Sequence, residues 1–162
     1  MPAIHSFDHQ YSVSVSASAR LHMGFIDLGG TLGRQFGSIG VGINEIATRL
    51  SVSGADALNA TGPSSARAAK YAKKIAEHLG LDCRLAIRIH EAIPEHIGLG
   101  SGTQLALAVG AGMARFHGLD LGVRDIAQAI ARGGRSGIGI AVFEQGGLVV
   151  DGGRGANTAT PP

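Results

Sequence analysis

The sequence predicts a mixed α+β domain. Segments with hydrophobic period two stand beside segments with helical period, and the two kinds intermix without a regular strand–helix–strand alternation. Glycine is abundant at 26 residues, gathered at 24–42, 98–112, 133–139 and 146–155, each cluster adjoining a predicted element. Such placement marks turns where backbone approaches something closely. With 162 residues, 44% of them apolar, the chain can close one domain around a real core.

Residues 1–10 are expected to form a flexible tail, and 11–155 the domain. Residues 12–21, SVSVSASARL, alternate apolar and small polar side chains. They predict a strand with Val13, Val15, Ala17, Ala19 and Leu21 on the buried face. Arg20 and His22 share the opposite parity and emerge together. Residues 22–37 carry five glycines among mixed neighbours and read as a loop. Residues 38–53 alternate again, as one long strand or a bent pair.

Pro63-Ser64-Ser65 offers a helix start capped by Ser64 or Ser65. That helix runs to Gly80, a natural C-terminal residue. Residues 83–91 alternate, with Leu85, Ile87 and Ile89 inward and Arg84, Arg88 and His90 outward. A helix follows over about 102–117, then a short one over 123–131 with Val123, Ile126, Ala127 and Ile130 on one stripe. IGIAVF and GLVVDGG read as two short strands joined at Glu144-Gln145-Gly146 in a hairpin. Residues 156–162 form a second tail.

Composition limits the function. The net charge is +2, with no Lys/Arg run and only 4% aromatics. A nucleic-acid partner is therefore not expected, and a small anionic ligand fits the scattered basic residues better. One cysteine, Cys83, rules out an internal disulfide and a cysteine metal cluster; its apolar neighbours place it as a small buried residue. The N-terminus lacks the pattern of a signal peptide, and no apolar run reaches the roughly 20 residues of a membrane span. The expected compartment is the cytoplasm. Seven histidines show no metal-ligand spacing, and no metal-ligating protein residue is assigned. His78 and His117 read as exposed helix ends.

The stretch IPEHIGLGSGTQ, residues 93–104, precedes the apolar run of the second long helix. The first N–H groups of a helix lack internal acceptors, and with the helix dipole they favour an anion. Gly98, Gly100 and Gly102 let backbone curl close to a phosphate, and Ser101 and Thr103 add hydroxyl donors. Gln104 closes the motif. A capped helix start without a ligand explains the same pattern. No Lys follows the glycines, so this is not the Walker loop.

Two further clusters carry charge. Arg20, His22, Asp27 and Arg34 lie at the end of the first strand and in the glycine-rich segment after it. Arg20 and Arg34 suit phosphate or carboxylate, and Asp27 suits Mg²⁺ or sugar hydroxyls. A surface ion pair is the competing reading for Asp27 and Arg34. Arg132 to Gly139, RGGRSGIG, offers Arg135 and Ser136 as a second anion site; helix-end charges answering a dipole explain Arg132 equally well. Glu144 and Asp151 are isolated acids, expected to be solvated.

Pro94 and Gly98-Leu99-Gly100-Ser101-Gly102 resemble the phosphate-binding motif of the GHMP kinase superfamily. Taken with Arg20-Leu21-His22, Ile26-Asp27-Leu28, Ser38-Ile39-Gly40-Val41-Gly42, Arg135-Ser136-Gly137-Ile138-Gly139 and Val150-Asp151-Gly152-Gly153, the chain resembles the β-ribofuranosylaminobenzene 5′-phosphate synthase branch. That branch lacks kinase activity. The resemblance covers about residues 20–155 and implies a GHMP N-terminal domain, similar to ribosomal protein S5 domain 2. It implies a longer protein of which the C-terminal domain is absent here.

The reaction it implies joins 4-aminobenzoate or 4-hydroxybenzoate to 5-phosphoribosyl 1-pyrophosphate, releasing CO₂ and pyrophosphate, in methanopterin biosynthesis. Mg²⁺ would accompany the pyrophosphate; ATP is not expected. Asp27, Arg34 and His22 would be catalytic. Arg20, Gly98, Gly100, Ser101, Gly102, Thr103, Gln104, Arg135 and Ser136 would hold phosphate. The kinases carry an Asp where this chain has Ile140, which counts against phosphoryl transfer. A GHMP kinase using ATP and a non-catalytic anion-binding fragment remain the alternatives. An apolar face left uncovered by a missing domain would favour self-association, most simply a homodimer.

Overall fold

The computed structural model describes residues 11–31, 33–131 and 137–155. Among these residues nine elements follow in chain order: β1 (Ser12–Asp27), β2 (Gly37–Gly54), β3 (Asn59–Thr61), α1 (Ser65–Leu79), β4 (Leu85–Glu91), α2 (Ser101–Phe116), α3 (Val123–Ala129), α4 (Ile138–Gln145) and β5 (Leu148–Asp151). The strands make one five-stranded sheet in the order β1-β2-β4-β3, with β5 pairing β2. Because β2 is long, its two ends serve different neighbours. Residues Arg49–Gly54 pair with β4, and Ser38–Val41 pair with β5, both antiparallel.

The period-two readings hold for the sheet's first half. Val15 pairs with Leu50 and Val13 with Val52, while Leu85, Ile87 and Ile89 are buried on β4. Between Ser18 and Ala19 the register slips. Ser18 pairs with Ala47, but Ala19 pairs with Ile43, where continuous pairing would give Ile46. A slip of three residues is odd, so the faces of β1 exchange beyond it. Leu21, expected inside, is 42% exposed. Arg20 and His22 turn toward the helices instead, paired with Gly42 and Gly40.

Several expectations are corrected. The segment read as a loop after residue 21 continues as strand to Asp27, and the short β3 was not foreseen. The expected hairpin is helix α4 followed by β5. Ile138 and Val142, one helical turn apart, are both buried. They sit where β2 has no side chains: a Cβ on Gly40 would lie 2.3 Å from Ile138 Cγ2, and one on Gly42 would lie 3.2 Å from Val142 Cγ1. Docking on this bare strand overrides the strand propensity of Ile and Val.

Helix α1 begins after Ser64, as expected, but Ser64 does not cap it through its side chain. Its hydroxyl donates to Glu95 Oε1 at 2.6 Å. At the other end Gly80 has φ of 65° and closes the helix through its N–H to Ala76, as expected. Cys83 is half-buried rather than buried. His78 is exposed as expected, whereas His117 is half-buried.

Helix α2 is the centre of the core. Gln104 to Gly110 and Gly112 to Ala114 are all buried. It fits between layers because two positions lack side chains. A Cβ on Gly112 would lie 2.7 Å from Val52 Cγ2 of the sheet, and one on Gly110 would lie 2.2 Å from Ile126 Cγ2 of α3. On the sheet face opposite α4, Leu21, Val41 and Leu148 align in one register row, and Leu148 and Val150 are 68% and 64% exposed.

Candidate functional site

The fold brings the start of α2, the start of α4 and the middle of β1 to one point. Loop 92–100 reaches it under tight control. The N–H of buried Ile93 donates to Thr48 Oγ1 at 3.3 Å. Glu95 accepts from Ser64 and pairs with Arg67 at 2.5 Å, which holds its carboxyl below the usual range. His96, Gly98 and Gly100 then take positive φ values of 63°, 80° and 76°. These left-handed steps curl the backbone into the first turn of α2.

Thr103 and Gln104 donate their N–H groups to Gly100 O. Those of Ser101 and Gly102 have no acceptor within the helix. They stand at its positive end, where anions are favoured.

Arg20 fills the space beside this turn. Its N–H donates to Leu99 O at 3.0 Å, and its Nη1 donates to Gly98 O at 3.4 Å. The side chain runs between two glycines. A Cβ on Gly100 would meet Arg20 Cγ at 2.9 Å and Nε at 3.0 Å; one on Gly139 would lie 3.7 Å from Nε and 3.2 Å from Thr103 Cγ2. Burial lowers the pKa of Arg20, yet a guanidinium starts high enough to stay charged. A fixed cation therefore lies against a helix N-terminus.

Gln104, grouped with the phosphate-binding residues by sequence, is fully buried. Its Nε2 donates to Gly139 O at 2.8 Å, joining the first turn of α2 to that of α4. Among the described residues, Gln104 Oε1, Arg20 Nε and His22 Nε2 are buried atoms without a hydrogen-bond partner.

Asp151, expected to be solvated, is 3% exposed. It accepts from Gly137 N–H at 2.7 Å, Gly153 N–H at 2.8 Å and Ser38 Oγ at 3.4 Å. It thus ties α4, β5 and β2 together. Sequence offered no signal for this, because isolated acids are usually surface residues. Burial, then the positive charge of Arg20, lowers the pKa of His22; the charge of Asp151 opposes them. His22 is therefore neutral at pH 7.

Asp27 and Arg34 lie farther along, around a cavity of about 180 Å³ that Ile26 and Val150 also line. Asp27 orders the turn after β1, accepting from Gly30 N–H at 2.8 Å and Thr31 Oγ1 at 3.1 Å. Arg34 donates to Gly152 O at 2.8 Å and Gly153 O at 2.6 Å. Arg34 thereby clamps the segment after β5, a role its sequence context did not announce. Arg135 and Ser136 lie outside the described residues.

An aromatic row continues from His22. Its ring lies 4.8 Å from that of Phe25, and Phe25 lies 6.0 Å from Phe36. Arg154 stands 4.9 Å above the Phe36 ring. Phe36 has φ of 63°, a conformation that costs an L-residue roughly 1–2 kcal/mol.

No group of three or more His, Cys, Asp or Glu residues among those described could hold a metal ion. No described helix is long and apolar enough to cross a membrane.

Known proteins resemble this chain in sequence and fold. The family described as GHMP kinases N terminal domain matches residues 66–147. A beta-ribofuranosylphenol 5'-phosphate synthase of Archaeoglobus fulgidus is 42% identical over 137 residues, covering 83% of this chain and 43% of that protein. The synthase of the same name from Methanothermobacter thermautotrophicus is 35% identical over 169 residues, covering 91% of this chain and 51% of that protein. The chain thus spans about half the length of these curated relatives. Among solved structures, Methanococcus jannaschii mevalonate kinase superposes with a TM-score of 0.63 at 14% identity, over 86% of this chain and 53% of the kinase. Homoserine kinase from Cytophaga hutchinsonii gives 0.63 at 18% identity, over 87% of this chain and 48% of the kinase.

Proposed function

Because the chain belongs to the GHMP kinase family, we propose that it forms the phosphate-binding half of a synthase that builds a ribofuranosyl-arene 5′-phosphate. The donor is 5-phosphoribosyl 1-pyrophosphate and the acceptor is 4-hydroxybenzoate or 4-aminobenzoate. The bond from ribose C1 to pyrophosphate breaks, and C1 bonds to the ring carbon that bears the carboxylate. CO₂ leaves, and the released electron pair restores the aromatic ring. The products would serve methanopterin biosynthesis in the cytoplasm.

The observation that carries this reading is Arg20 locked between Gly100 and Gly139 beside the open start of α2. A fixed cation and backbone N–H groups suit a phosphate that is held, and they need no rearrangement when charge develops on the leaving group. Ser101 and Thr103 add hydroxyl donors at the same turn. The neutral imidazole of His22 stands next along β1, able to take a proton. Asp27 and Arg34 belong to this reading at the far side, as partners for ribose hydroxyls and a second anion.

Ile140, where the kinases place their Asp, packs against the core. This position supplies no carboxylate, which supports synthesis over phosphoryl transfer. Mg²⁺ fits only as a passenger of the substrate: with no three-ligand cluster among the described residues, the pyrophosphate oxygens would supply most of its ligands. When bound it would neutralise charge on the departing pyrophosphate. The exposed apolar face that carries Leu21, Leu148 and Val150 supports a partner surface, a second copy in the simplest case.

Calorimetric titration with phosphoribosyl pyrophosphate·Mg²⁺ and, separately, ATP·Mg²⁺ tests the reading. The expected result is tighter binding of phosphoribosyl pyrophosphate. Tighter binding of ATP would overturn it.

A further inference from the structure

The aromatic row beyond Arg20 has a geometry that core packing does not explain. Phe25 is 42% exposed, although His22 stands against one side of its ring and Phe36 against another. Phe36 adopts a left-handed backbone conformation that a bulky residue seldom takes. Several contacts hold it there. Its N–H donates to Asp27 O at 3.0 Å, and the adjacent Gln35 exchanges two backbone hydrogen bonds with Arg154, both 2.9 Å. Arg154 in turn covers the Phe36 ring. The surroundings thus fix a strained phenyl ring beside a half-open one.

The row also has a direction. His22 lies two residues from Arg20 on the same side of β1, and Arg20 borders the phosphate loop. Next to a phosphate held at that loop, the surface becomes imidazole, then phenyl, then phenyl under a guanidinium. We propose that His22, Phe25 and Phe36 form the subsite for the ring of an aromatic carboxylic acid. The inference rests on the function proposed above and adds where the acceptor lies.

Two aromatic rings, one of them edge-on to the other, present both a face and an edge to a third, which is how aromatic groups prefer to meet. A substituted benzene lying on Phe25 would keep its plane against apolar carbon. Its polar end would lie beside the imidazole of His22, whose Nε2 has no hydrogen-bond partner among the described residues. The positive charge of Arg154 at the far end favours an electron-rich ring.

Titration of the full chain with 4-hydroxybenzoate, followed by NMR, tests the assignment with and without phosphoribosyl pyrophosphate·Mg²⁺. The expected result is saturable upfield shifts of the His22 and Phe25 ring protons. Cyclohexanecarboxylate, of equal charge but without a π face, should not reproduce them. Phe25→Leu should weaken 4-hydroxybenzoate binding about tenfold, with phosphoribosyl pyrophosphate affinity held within about twofold, and Phe25→Tyr should restore it. Shifts confined to residues away from the row, or unchanged affinity in Phe25→Leu, would overturn the subsite while phosphoribosyl pyrophosphate still binds. Loss of phosphoribosyl pyrophosphate binding in the wild-type chain would instead overturn the donor reading, and the ring shifts would still decide the subsite by themselves.

Discussion

Gln104 Nε2 donates to Gly139 O at 2.8 Å across the meeting point of α2 and α4. This bond fixes one wall of the slot that holds Arg20. It makes Gln104 a positioning residue, since its fully buried side chain touches backbone rather than the open turn. Gln104→Leu should remove this bond between the two helices, leave Gly139 O with only its donor inside α4, and cost about 0.5–1.5 kcal/mol. Thermal unfolding measures the loss. Titration of the folded variant should also show weaker phosphoribosyl pyrophosphate binding, and unchanged binding would remove Gln104 from this role.

Gly100 and Gly98 permit a paired comparison. Both have positive φ, so Ala at either strains the backbone by roughly 1–2 kcal/mol. Only at Gly100 would the added Cβ reach Arg20; at Gly98 nothing lies within 4 Å. Gly100→Ala should therefore lower phosphate affinity by an order of magnitude or more, and Gly98→Ala far less. Equal losses would mean that Arg20 does not bind the anion.

Asp151 satisfies two backbone N–H groups and a hydroxyl in the interior. Asp151→Ala should destabilise the domain by about 2–4 kcal/mol, because buried donors lose their acceptor. Denaturant unfolding would reveal it as a lower midpoint at constant slope. A midpoint equal to wild type would show that α4 and β5 are held without this carboxylate.

His22 gives a pH dependence with a definite sign. Burial lowers its folded-state pKa, so below about 6.5 the unfolded chain takes up the proton first. The His22 contribution to stability should be flat above that pH, fall as pH drops toward the folded pKa, and then level off. Comparing wild type with His22→Gln at about pH 7.5 and pH 5 isolates the effect. The variant should lose less stability on acidification; an equal loss in both proteins would contradict the burial of this imidazole.

Much of this architecture was written locally. The alternation in SVSVSASA and in CRLAIRIHE placed two strands, and the apolar run after Gly102 placed the central helix. Gly80 marked a helix end because a left-handed residue there needs no Cβ relief. The glycines at 98 and 100 signalled a curled backbone, and both take positive φ.

The site depended on distant pairing. Parity along β1 assigned Leu21 to the interior, but the slip opposite Ile43 exchanges the faces and turns Arg20 and His22 toward α4. IGIAVFEQ carries strand propensity, yet it folds as a helix because Gly40 and Gly42, about a hundred residues away, leave room for Ile138 and Val142. The sequence by itself determined the residue types of an anion site and the elements that carry most of them. The tertiary structure alone decided which of those residues meet. Register and close packing depend on both partners of a contact, and a local pattern describes only one.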